Sequence, residues 1–191
     1  MINVMGCVAK TIYYLPGHRG LLHTGLGEGL LARGFDLAGR ETVDEFRKLS
    51  FGDQIAIVAD DLTTHFWAED AHVVANSFGA YLFLHAQSLI EPYPGKVLLL
   101  SPIVGEFANE EMKMGFIPPR ATKLSDLAMS GKYPTPVNCE IHVGEEDWQA
   151  NPCNVTALAE QLGLQVTVAK GRGHMLGKDY VSAVLDRWLE Q

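Results

Sequence analysis

Apolar residues fall along this chain in two textures. Short runs, rich in β-branched, aromatic and leucine residues, stop at Gly, Pro or Ser turns, and between them apolar positions recur every three or four residues. The runs at 11–15, 71–75, 96–100, 137–143 and 164–169 predict strands, with a weaker sixth at 35–38. Helical spacing covers 25–33, 81–90, 152–162 and 180–189, and shorter amphipathic stretches lie at 42–49 and 122–129. Two of the helix starts carry their own signals. Ser50 and Asp53 form a capping box that opens a helix reaching about residue 62, and Asn151-Pro152 supplies a cap and a first-turn proline. Strands alternating with helices predict an α/β chain, a three-layer α/β/α sandwich around a mostly parallel sheet.

Between residues 103 and 136 that rhythm fails. Met112, Met114, Phe116 and Ile117 precede Pro118-Pro119, and the stretch is expected to be a small lid whose unbranched Met side chains adapt to an apolar group. The alternative is ordinary packing against the domain.

Composition narrows the classes. With 191 residues, 47% of them hydrophobic, a single domain over 1–191 is the expectation. A formal charge of −8 argues against a grip on nucleic acid or an anionic membrane and points to small, neutral or apolar ligands. Cys7, Cys139 and Cys153 lack metal or redox spacing and read as reduced packing residues of a cytoplasmic protein. The first ten residues show no export signal, and no apolar run is long enough to span a bilayer. Gly25, Gly27 and Gly29 suggest a dinucleotide loop, but the third glycine comes one residue early, and a flexible loop opening a helix fits as well.

In a parallel sheet every strand ends on one edge, and ligands bind outside that edge. Four of the predicted strands run directly into Gly17-His18, Ser77, Asp147 and His174, so the topology gathers a hydroxyl, a carboxylate and an imidazole on one rim. Serine needs a base to take its proton, and the base needs an acid to hold its tautomer. Ala75-Asn76-Ser77-Phe78-Gly79 sits between a strand and a helix; read alone, Ser77 is either a nucleophile or an ordinary capping serine.

The motif resembles the G-x-S-x-G nucleophile elbow of the α/β-hydrolase superfamily, with Ala75 in place of the first glycine. The order Ser77, Asp147, His174 is also that family's order, with Gly144-Glu145-Glu146-Asp147 similar to its acid loop and Gly173-His174 to its histidine loop. The resemblance runs from the strand at 11–15 to the last helix, with the family's first two strands missing or reduced. It implies a compact α/β-hydrolase fold and a serine esterase or thioesterase acting on a small or medium acyl group. Ser77 would be the nucleophile, His174 the base and Asp147 its orienting acid, ahead of Glu145 and Glu146. The Phe78 and His18 amides would form the oxyanion hole, although Pro16 departs from the family's usual His-Gly at that loop.

Around these, Gly17, Arg19 and Trp148 are candidates for contact with substrate. Arg19 either meets a substrate carboxylate or is a solvated charge, and Trp148 either lines the pocket or packs beneath it. His65, His72, His85 and His142 fall within helices or strands and read as surface or packing residues. No histidine pair with a nearby carboxylate suggests a metal, so neither metal nor cofactor is expected. The same triad also serves amide and carbon–carbon bond hydrolysis, and an idle scaffold that only binds is the alternative outside enzymes.

Overall fold

In a computed structural model, which describes residues 10–111 and 113–190, the runs become a six-stranded sheet flanked by helices. The first half of the chain gives β1 (Thr11–Leu15), α1 (Leu26–Leu31), β2 (Asp36–Gly39), α2 (Asp44–Lys48), α3 (Phe51–His65), β3 (His72–Asn76) and α4 (Phe78–Gln87). The second half gives β4 (Lys96–Leu100), β5 (Phe107–Asn109), β6 (Met114–Phe116), α5 (Lys123–Met129), β7 (Asn138–Gly144), α6 (Pro152–Leu162), β8 (Gln165–Ala169) and α7 (Lys178–Leu189). Strand order in the main sheet is β2-β1-β3-β4-β7-β8, and every pairing in it is parallel. The six predicted strands match within a residue at each end. Among the described residues, no helix is long and apolar enough to cross a membrane.

The sheet's alternation divides the core in two. Tyr13, Leu15, Val73, Ala75, Val97 and Leu99 face α3, α4 and α6, whereas Ile12, Tyr14, Val74, Leu98 and Leu100 face α1 and α7. Residues 79–87 of α4 are all buried, so this helix is the wall of the larger core. At its start Gly79 lies so close to the end of β1 that a Cβ would stand 2.0 Å from the Leu15 carbonyl oxygen. Only glycine lets the helix dock there.

Two departures from the sequence reading matter for the site. The helix expected from residue 81 begins at Phe78, directly after Ser77, because the backbone turns at Ser77 itself with φ +52°. The 103–136 stretch divides into two differently packed halves. Its second half packs into the core, with Leu124 fully buried and the Tyr133 hydroxyl donating to the Leu84 carbonyl at 2.9 Å. Only its first half, the antiparallel β5–β6 hairpin, projects from the main sheet as a separate element.

The cysteines also divide. Cys139 is a buried packing residue, but Cys153 is exposed at the start of α6, and Cys7 lies outside the described residues together with Met112. The N-terminal segment read for export signals likewise lies outside them, apart from Lys10.

Candidate active site

Ser77 follows β3 directly, and its amide donates to the Leu100 carbonyl at 2.9 Å, which ties the turn to the end of β4. A positive φ at a non-glycine residue is strained, and it persists here because β3, β4 and α4 over-determine the turn. Ser77 occupies the cap position of α4, so the first amides of a ten-residue helix open beside its hydroxyl.

The loops after β7 and β8 fold onto each other. Glu145 donates its amide to the Ala169 carbonyl at 2.9 Å, and Glu146 its amide to the Arg172 carbonyl at 2.9 Å. Gly144 makes this crossing feasible, since a Cβ there would lie 2.2 Å from the Arg172 carbonyl oxygen. The crossing brings Asp147 under His174. Both carboxylate oxygens of Asp147 lie 2.9 Å from His174 Nδ1, and Oδ1 also accepts the amides of Gln149 at 3.0 Å and Ala150 at 2.9 Å. On the far side of the ring, His174 Nε2 lies 2.8 Å from Ser77 Oγ.

The Asp147 side chain is fully buried. Burial alone would raise its pKa, but the hydrogen bonds from His174, Ala150 and Gln149 outweigh that and hold it below the ordinary aspartate value. An ionised Asp147 only accepts, which assigns the proton to Nδ1; in the neutral ring Nε2 is then the acceptor for the Ser77 hydroxyl. Glu145, the neighbouring acid, is engaged elsewhere, accepting the Gly171 amide at 2.9 Å.

Ser77, Phe78 and His18 line one cleft of about 460 Å³. As the first residue of α4, Phe78 has an amide with no acceptor inside the helix. The Gly17–Gly20 turn is closed by the Gly20 amide on the Gly17 carbonyl at 2.9 Å, a bond that leaves the His18 amide at the second position unused. Thr42 pins this turn from outside, its hydroxyl donating to the Gly17 carbonyl and accepting the Gly20 amide at 2.8 Å. Gly17 itself packs on the elbow, with room for a Cβ only 3.2 Å from Ser77 Cβ.

The structure does not bring Arg19 or Trp148 to the cleft. Arg19 sits exposed at φ +59° and is absent from the cleft lining. Trp148 packs its ring edge-on against Phe107 at 5.7 Å, bracing a cleft residue from behind, while its neighbour Gln149 reaches the lining. Nor do the described methionines of the 103–136 stretch border the cleft. Met114 and Met129 are exposed, and Ile103, Phe107, Phe116 and Pro119 border the cleft instead.

Sequence reasoning missed the wall formed by the segment after β2. Thr42, Arg47, Leu49 and Phe51 all line the cleft. The rule that strands end at the ligand edge applies to β2 as it does to the others, and it would have found them. A half-buried network holds this segment. Arg40 grips Asp61 of α3 with two hydrogen bonds of 2.6 Å, and Asp61 also accepts the Tyr13 hydroxyl at 2.7 Å.

Of the other histidines, His65 is exposed and His72 is buried edge-on against Trp188. His85 is fully buried between Phe51 and Tyr81, and burial, with Arg120 and Lys123 adding to it, pushes its pKa down to about 4. Among the described residues, no three His, Cys, Asp or Glu side chains cluster as a metal would require.

No family model matches the chain, and no curated protein matches it in sequence. Solved structures do match in fold. The ydeN gene product from B. subtilis superposes with a TM-score of 0.64 at 15% identity, covering 96% of this chain and 100% of its own. Carboxylesterase CesB (YbfK) from Bacillus subtilis gives 0.66 at 13% identity, over 96% and 84%. Est1E from Butyrivibrio proteoclasticus gives 0.62 at 13% identity, over 96% and 89%.

Proposed function

The chain has the α/β-hydrolase fold, and on that premise we propose that it is a serine hydrolase of carboxylic esters or thioesters with small or medium acyl groups. One observation carries the reading. The hydroxyl of a strained serine at a helix start is joined through His174 to a buried carboxylate by contacts of 2.8 and 2.9 Å, at the edge of an open cleft.

In this reading Ser77 Oγ attacks the substrate carbonyl carbon while its proton passes to His174 Nε2, and Asp147 stabilises the imidazolium. The carbonyl oxygen, now negative, is met by the amides of Phe78 and His18; a single donor of this kind contributes about 2.7 to 4 kcal/mol in the transition state. The tetrahedral intermediate collapses, the bond to the leaving alcohol or thiol breaks, and His174 returns the proton to it. Water, deprotonated by His174, then attacks the acyl-Ser77 ester, and as the acyl–Oγ bond breaks to free the acid His174 returns the proton to Ser77 Oγ. The β5–β6 hairpin serves as a short cover, its Phe107 and Phe116 rings 5.6 Å apart along the cleft.

Purified Ser77→Ala protein tests this against a short p-nitrophenyl ester. The expected result is a loss of at least about a thousandfold in kcat/KM, and undiminished hydrolysis would refute the assignment.

A further inference from the structure

We propose that the substrate carries a carboxylate a short apolar span away from the reacting carbonyl, with the Arg47 guanidinium as its recognition point. This rests on the serine hydrolase reading and deepens it.

The chain has 23 acidic residues and a formal charge of −8, yet no acidic side chain lines the cleft and Arg47 does. Among the described residues no carboxylate lies within ion-pair distance of Arg47. Its helix neighbour Glu45 is already committed to Lys48 at 2.6 Å. An uncompensated guanidinium at the edge of an apolar cleft in an acidic protein is a matched receptor for a carboxylate, whose two oxygens fit its fork of donors.

The backbone that carries the exposed Arg47 side chain is held in place. Gln54 of α3 donates its side-chain amide to the Phe46 carbonyl at 2.9 Å, clamping α2 one residue before Arg47. Arg47 is also close enough to the reacting end to act on His18, whose pKa is lowered first by burial and then by the charges of Arg47 and Arg19. Among the described residues that line the cleft, Arg47 carries the permanent positive charge. Elsewhere the lining is largely apolar, with Phe51 and Phe78 6.4 Å apart, which suits a hydrocarbon span. Arg19, the residue that sequence alone suggested for a substrate carboxylate, is exposed and does not line the cleft.

The test compares paired esters. In the acyl arm, p-nitrophenyl hydrogen adipate is set against p-nitrophenyl heptanoate; in the leaving-group arm, 4-carboxyphenyl acetate is set against 4-methylphenyl acetate. Background opening of each is measured with Ser77→Ala protein and subtracted. In at least one arm, Arg47→Met should lower the charged-to-neutral ratio of kcat/KM by roughly tenfold. Arg47→Lys should restore part of it, and the preference should shrink as salt rises. Lys132→Met removes the same charge from an exposed residue outside the cleft lining and should leave the ratio within about twofold. Ser77-dependent hydrolysis with ratios unmoved by Arg47→Met in both arms overturns this proposal and leaves the hydrolase reading standing. Absence of any Ser77-dependent hydrolysis overturns both.

Discussion

Two hydroxyl–imidazole–carboxylate chains run through the described part of this protein, and both use β7. One joins Ser77, His174 and Asp147 at the ligand edge of the sheet. The other lies on the α7 face, where the Tyr180 hydroxyl is 2.8 Å from His142 Nδ1 and His142 Nε2 is 2.7 Å from Glu140. By distance alone they are equivalent.

What separates them is where a transferred proton would go. Glu140 is also held by Arg187, whose guanidinium lies 3.5 Å from His142 Nε2. A proton on His142 would face that cation. Burial lowers the His142 pKa more than Glu140 raises it, and burial raises that of Tyr180, so the neutral ring and the protonated phenol are both favoured. At the other site, besides His174, Asp147 is bonded by neutral backbone amides alone, and the imidazolium has its carboxylate to itself. Ser77 in addition stands at a helix start inside a cleft, whereas Tyr180 packs edge-on to the ring it serves. In the proposed reading the same three functional groups make a proton-accepting site in one place and a structural clamp in the other.

Asp147→Asn should sharpen this contrast most. The amide can no longer fix the Nδ1 proton, and kcat should fall by about four orders of magnitude with the fold retained, as read by ester hydrolysis alongside circular dichroism. If activity survives that change, Asp147 does not orient the base and the contrast fails. Tyr180→Phe should have the smaller effect. It removes the hydroxyl that satisfies His142 Nδ1, costing about 1 kcal/mol in urea unfolding, while kcat/KM stays within about threefold. A large loss of activity with unchanged stability would instead place the second network in the chemistry.

The strands and the edge residues were readable because each rests on a local signal. Runs such as 96–100 end at turn residues, and a parallel sheet converts the ends of distant strands into neighbours without further information. Asp147 stood out from Glu145 and Glu146 through family resemblance, and the physical basis is the crossing of two loops, which no local pattern encodes. The β5–β6 hairpin escaped notice because its three-residue strands alternate too briefly to show a period. Arg47 and Phe51 escaped because only the end of β2, a short and weakly patterned strand, points to them, while their own amphipathic pattern does not say that it faces a cleft. Cys153 looked like packing for a similar reason, since the turn of α6 it occupies faces outward.

The central claim is that Ser77 is the activated hydroxyl of this molecule. Labelling the folded protein with a fluorophosphonate and mapping the adduct by peptide mass spectrometry tests it without any assumption about substrate. The account predicts one adduct, on the peptide carrying Ser77, lost when His174 is changed to Ala. An adduct at Tyr180 or another hydroxyl, or none while ester hydrolysis proceeds, would contradict it.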